Sequence, residues 1–238
     1  MPDQDSLLAE VTRRWRAKMG FSLATVNLDH LVKMTSDAAF AHTYAQQDLV
    51  VADGRPIVWL SHLAKRPVTL VPGSELVVPL CQAAANCGVK VALVGSTEEA
   101  LRDAASVLKG VARPLDIRIM ISPAFGFDPH SDEAKDILAT VSDADVGLCL
   151  IALGAPKQEQ FAELGRVLAP QVGFASIGAG LDFLGGHQQR APLWMRRMSL
   201  EWLWRALSNP LRLGPRYLRC LALLPTQAWA AIKLRNTA

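Results

Sequence analysis

The sequence predicts an α/β fold, a Rossmann-like parallel sheet with helices on both faces, followed by a C-terminal helical appendage. Three observations carry that expectation. Six short apolar, β-branched runs recur along the chain at residues 21–27, 48–52, 89–95, 116–122, 145–153 and 173–178. Helical stretches of about ten residues or more separate most of them, which implies parallel strands buried on both faces. After Gly185 and Gly186 the strand signals stop.

Each element has its own local reason. The strand at 21–27 leads into a helix over 28–46, with Asp29 placed to cap it, and the strand at 48–52 into a helix over 55–63. A helix over 74–86 starts at Ser74 and Glu75. The strand at 89–95 precedes a helix over 97–108, where Thr97 stands before Glu98 and Glu99. Helices over 131–141 and 156–168 flank the fifth strand, the second opening on Pro156, a residue suited to a first helical position. The tail reads as two or three helices interrupted by Pro210, Pro215 and Pro225. The expected division is a catalytic core over 1–186 and an appendage over 187–238.

Composition narrows the class. The chain has 238 residues, 50% hydrophobic and 20% charged, enough to bury a full core. Its four cysteines are widely spread, without a CxxC pair, which argues against a zinc site or a disulfide framework and for reduced cytosolic thiols. No basic and apolar leader follows Met1, and no uninterrupted apolar run is long enough to span a bilayer. The net charge of +3 conceals a split: residues 187–238 hold nine Lys and Arg against one acid, Glu201, together with four of the six tryptophans. A basic, Trp-rich, amphipathic segment suits an anionic membrane interface; an ordinary helical subdomain with a solvated basic face suits the composition as well, and nucleic acid suits it less.

In a doubly wound sheet, ligands sit where strands end, so the turns after strands carry the candidate chemistry. Thr25 and Asn27 close the first strand with groups that bind a phosphate or sugar, or serve as turn residues. Asp53 before Gly54 is a candidate general base, with a helix N-cap as the alternative. Gly95 opens a turn toward a helix N-terminus that suits a phosphate, although neither GxGxxG nor GxxxxGKS is present. Pro156, Lys157, Gln158 and Glu159 place three long polar side chains in one first turn, suited to a nucleotide diphosphate and sugar. The last strand leads through small residues to Asp182. Asp143-Ala144-Asp145 spells a DxD but precedes a strand, so a turn is expected and no metal site or other cofactor is predicted.

Taken in order, Thr25-Val-Asn27, Val51-Ala-Asp53-Gly54, Val71-Pro-Gly73-Ser74, Gly154 to Glu159, Gly178 to Gly186 and Arg190-Ala-Pro192 resemble the WecG/TagA/CpsF glycosyltransferases. The stretch Leu200-Glu-Trp-Leu-Trp-Arg205 through Tyr217 is similar to that family's C-terminal appendage. The resemblance covers about residues 20–220. It implies an inverting, metal-independent transferase in cell-surface polysaccharide assembly. The donor would be a UDP-sugar, UDP-N-acetylmannosamine or a UDP-hexose, and the acceptor a polyprenyl-diphosphate-linked saccharide on the inner face of the plasma membrane. It further implies Asp53 as base, Thr25 and Asn27 beside it, the 156–159 segment holding the donor, Arg205 and Arg212 over the leaving diphosphate, and Arg190 among the substrate-binding residues.

Arg55-Pro56, Leu70, Pro215 and the linker at 187–189 depart from the family pattern, which bears on donor and acceptor identity and leans toward exopolysaccharide-type members. Self-association that masks the apolar tail off the membrane is a further expectation. Two other readings stay open at this level. One is a soluble nucleotide-dependent oxidoreductase or epimerase, disfavoured by the missing GxGxxG. The other is a non-catalytic scaffold for polysaccharide assembly.

Overall fold

The computed structural model describes residues 1–188, 191, 192, 195, 204 and 210–235, with Arg212 described in its backbone alone. The six expected strands are present: β1 (Phe21–Val26), β2 (Leu49–Ala52), β3 (Val91–Gly95), β4 (Ile117–Ile121), β5 (Leu148–Ala152) and β6 (Gly173–Ser176). They form one sheet in the order β2-β1-β6-β5-β3-β4, and every pairing is parallel.

Around the sheet run α1 (Gln4–Arg16), α2 (Leu28–Ser36), α3 (Ala38–Ala45), α4 (Arg55–Leu63), α5 (Gly73–Asn86), α6 (Glu98–Val111), α7 (Asp132–Asp143), α8 (Lys157–Leu168) and α9 (Gly180–Leu184). The appendage contributes α10 (Pro210–Arg235). The period-2 alternation of the strands sorts their side chains between two layers. Val91, Leu93, Leu148 and Leu150 join a core with residues of α1, α5 and α6, whereas Ala92, Val94, Cys149 and Ile151 pack with residues of α7 and α8. All four cysteines are free thiols.

Three local expectations change. The helix over 28–46 is two helices, because Asp37 leaves the helical conformation and its side chain caps α3 by accepting from the Phe40 amide at 2.9 Å. Asn27, not Asp29, caps α2: its Oδ1 accepts from the amides of Asp29 and His30. Third, α10 runs unbroken through Pro215 and Pro225. Each proline removes one backbone hydrogen bond, leaving the carbonyls of Leu211 and Leu221 without it. Both prolines and both of those leucines are exposed, so the loss falls on the outer side, while Cys220 and Ala231 face inward and the helix packs on α2 and α4. Two helices were not expected at all, the short α9 and the longer α1. Helix α1, capped by Asp3, buries Leu7, Val11 and Trp15 at i, i+4 and i+8, and the Trp15 indole donates to the Gly147 carbonyl at 2.9 Å.

Candidate active site

The C-terminal ends of β1, β2, β5 and β6 lie side by side and define the crevice. Register brings its central pair together. Val26 pairs with Ala52, and the Asp53 amide continues the ladder by donating to the Val26 carbonyl at 2.7 Å. Asn27 and Asp53 are therefore neighbours one step beyond the two strand ends. Asn27 Nδ2 donates to Asp53 Oδ2 at 3.4 Å, and both residues are half-buried.

Asp53 is not a helix cap. The N-cap of α4 is Gly54, at φ +144, a conformation open to glycine and strained for other residues, and α4 has no side-chain cap. Glycine here turns the chain sharply from strand to helix, and the Asp53 carboxylate meets Asn27 rather than the start of α4.

Asn27 is held by a reciprocal cap. Its side chain accepts from the first turn of α2, while its own amide donates to His30 Nδ1 at 3.3 Å. His30 is buried and its pKa falls to about 4, first through desolvation and then through Lys33, so it stays a neutral acceptor. Thr25 is almost fully buried on the floor of the crevice. Its carbonyl accepts from the Tyr44 hydroxyl at 2.8 Å, and Gly73 comes so close that a Cβ there would lie 3.3 Å from Thr25 Cγ2 and 3.2 Å from the Ile177 carbonyl. The glycine that opens α5 thus seats that helix start directly over β1 and β6.

The segment at 156–159 divides by direction. Gln158 points back across the strand ends, its Oε1 accepting from the Gly178 amide at 3.1 Å and its Nε2 donating to Glu159 Oε1 at 2.8 Å. Lys157 reaches to the β4–α7 connection, donating to the Phe127 carbonyl at 2.6 Å. Glu159 is fully buried behind Gln158; its Oε2 has no hydrogen-bond partner, and burial raises its pKa to about 7. Tyr44 ionises less readily than usual, first because it is buried and then because Glu159 and Asp53 are near. Pro156 stands as the N-cap of α8, which has no side-chain cap.

Gly95 and Asp182 form a second group at the end of β3. A Cβ on Gly95 would lie 2.5 Å from the Ala152 carbonyl, so close strand approach accounts for this glycine. Asp182 accepts from the Ser96 hydroxyl and from Gln188 Nε2 and fixes the exit toward the appendage. Arg190 and Arg205 lie outside the described residues, as does the side chain of Arg212.

Two features had no clear signal in the sequence. A capping box usually ends in Glu or Gln, so a histidine closing it, His30, does not announce itself. Arg216 of α10 meets the buried Asp29 of α2 in a 2.9 Å ion pair that lacks hydrogen-bond alignment, and Lys33 bridges the same carboxylate to the Ala155 carbonyl. This pair ties the appendage to the rim of the crevice.

The DxD is a turn at the far edge of the sheet, where Asp145 pairs with Lys90 at 2.7 Å. Among the described residues, Glu99, Asp103 and His187 are the one group of three whose ligand atoms converge, within 4.8 Å of one another and exposed.

Residues 2–237 match the model of the glycosyl transferase WecG/TagA/CpsF family. A relative from Bacillus subtilis (strain 168), an N-acetylglucosaminyldiphosphoundecaprenol N-acetyl-beta-D-mannosaminyltransferase, is 25% identical over 197 residues, covering 82% of this chain and 74% of the relative.

Proposed function

Because the chain belongs to the WecG/TagA/CpsF glycosyltransferase family, we propose that it transfers N-acetylmannosamine or a similar hexose from a UDP-sugar to a polyprenyl-diphosphate-linked saccharide. The observation that carries this reading is the Asn27–Asp53 pair at the C-terminal ends of β1 and β2, where Gly54 rather than Asp53 is the helix cap. The relative's name supports the donor and acceptor classes.

In this reaction Asp53 takes the proton of the acceptor hydroxyl as its oxygen bonds the anomeric carbon from the face opposite the leaving group. The bond from that carbon to the diphosphate oxygen breaks, UDP departs with the electron pair, and the configuration inverts. General-base help of this kind is worth about 10²–10⁴ in rate. Asn27 orients the carboxylate. The starts of α4, α5 and α8 carry no side-chain cap; Pro56 has no N–H and the amides of Ile57, Glu75 and Gln158 already donate to the Gly54, Pro72 and Gly154 carbonyls, so the proposal gives the diphosphate the amides of Arg55, Gly73 and Lys157 and the partial positive charge of the three helix starts. Gln158, buried and bonded to Gly178 and Glu159, holds the start of α8 against the end of β6. Arg190, Arg205 and Arg212 complete the positive lining in this proposal.

The proposal places the protein peripherally on the inner face of an anionic membrane. No described helix is long and apolar enough to cross a bilayer. Helix α10 contains no acid, exposes Leu211, Leu218, Leu221, Trp229 and Ile232, and lays Lys233 over the Trp229 ring at 3.4 Å. An apolar outer face framed by cations suits headgroup depth.

UDP release with a polyprenyl-diphosphate GlcNAc acceptor in detergent tests the reading across a panel of UDP-sugars. Asp53→Asn is expected to lower acceptor-dependent release about 10²-fold or more with little change in donor affinity. Equal release in both proteins removes Asp53 as the base.

A further inference from the structure

Helices α4 and α10 enclose an apolar groove of about 360 Å³. One wall is Pro56, Trp59, Leu60 and Leu63, a single face of α4; the other is Leu224, Pro225 and Ala228 of α10. Trp59 stays 62% exposed at its lip, a large ring left with one side uncovered.

Two features say what covers it. The first is continuity. Helix α4 begins at Arg55, directly after Asp53 and Gly54, and the lining face runs from Pro56 to Leu63, about 10 Å along the helix axis. On α10 the wall from Leu224 to Ala228 is flanked on either side by exposed Leu221 and Trp229, which belong to the outward apolar face of that helix. It therefore connects the mouth of the crevice with the outward apolar face of the appendage. The second is charge complementarity. Neither helix contains an Asp or Glu, and Arg55 stands exposed at the crevice end of α4. An apolar trough with a cationic mouth fits a ligand that is hydrocarbon throughout and doubly anionic at one end.

We propose that this groove is the subsite for the isoprene units of the acceptor that lie next to its diphosphate. The inference rests on the transferase reading above and names where the acceptor's lipid binds. With the diphosphate at the Arg55 end, the prenyl chain follows the α4–α10 seam toward the bilayer, and the saccharide is left at Asp53. Binding the lipid between these helices also fixes α10 against the core, alongside the Arg216–Asp29 pair.

The test uses the full chain in two arms. In the first, kcat/KM is compared for two acceptors carrying the same GlcNAc-diphosphate, one on a farnesyl chain and one on a methyl group. The wild type is expected to prefer the farnesyl acceptor by about tenfold or more. Ala228→Trp, which fills the groove, is expected to collapse that preference through KM while circular dichroism and melting temperature report an intact fold. No preference in the wild type, or a preference untouched by Ala228→Trp in a folded protein, overturns the proposal.

In the second arm, a farnesyl diphosphate bearing a terminal benzophenone is photolysed with the protein and the adducts are mapped. Labelling within residues 55–63 or 221–229, competed by farnesyl diphosphate but not by inorganic diphosphate, supports the subsite. Labelling elsewhere overturns it, as does equal competition by a lysophospholipid, which would mark a general acyl-chain surface. If neither acceptor receives sugar from any UDP-sugar, the transferase reading fails and the labelling arm alone decides the groove.

Discussion

The two halves of the sheet's C-terminal edge are built differently. On the β3–β4 side, α6 and α7 each start on a side-chain cap, Thr97 and Ser131, followed by acids in the first turn: Glu98 and Glu99, then Asp132 and Glu133. Their amides and dipoles are satisfied from within the chain. On the side of β1, β2, β5 and β6, the helices α4, α5 and α8 start on Gly54, Pro72 and Pro156 with no side-chain cap at all. The one side-chain cap there, Asn27 on α2, also donates to Asp53. A closed helix start is finished structure, whereas an open one leaves donors for a ligand, and here the open ones converge where the candidate base stands.

Glu159 sharpens the contrast most. It occupies the first turn of an open helix, where an ionised acid is normally favourable, yet it is turned inward and buried, with a pKa raised to about 7. An acid whose folded pKa is raised contributes stability that is full below its unfolded value near 4.5 and is lost as pH rises through about 7. The facing groups are Lys33, which opposes the rise, and Gln158, whose hydrogen bond does the same. Glu159→Gln is therefore expected to flatten a loss of about 3 kcal/mol between pH 4.5 and 7.5, read as the difference in denaturant stability between the two proteins. Parallel pH profiles would mean that folding does not raise the Glu159 pKa.

A closed start can be imposed on the open half. Pro72→Asp is expected to cap α5 and stabilise the fold by about 1 kcal/mol. The same change is expected to weaken UDP-sugar binding about tenfold, by closing the amides and adding like charge, as isothermal titration would show. Unchanged affinity would remove the α5 start from donor binding.

The smallest effect belongs to the closed half. Ser131→Ala is expected to cost about 1 kcal/mol in denaturant stability and to leave kcat and KM as they were. A loss of activity beyond that of destabilisation would break the division between the two halves.

Most of the scaffold was legible because its signals are local. Apolar strands, helix starts at Thr97 and Ser131 and the glycine at 54 follow from neighbours in the chain, and the series of turns pointed to the family that the match over residues 2–237 shows. The candidate base was legible as a residue but ambiguous as a role, since an Asp before a helix is equally a cap. Register places Asp53 beside Asn27 and gives the cap position to Gly54, which removes the cap alternative and leaves the role of base as the proposal.

What the sequence determined by itself is the six strands and most of the helices between them, the uneven charge along the chain and the identity of the polar residues at the strand ends. These depend on period, composition and capping chemistry within a few residues. Tertiary structure alone decided the inward turn of Glu159, the continuity of α10 through two prolines, the anchoring of α1 by Trp15 and the meeting of Arg216 with Asp29. Each of these depends on burial or on partners far apart in the chain, and desolvation, strand register and helix docking act only once the sheet is assembled.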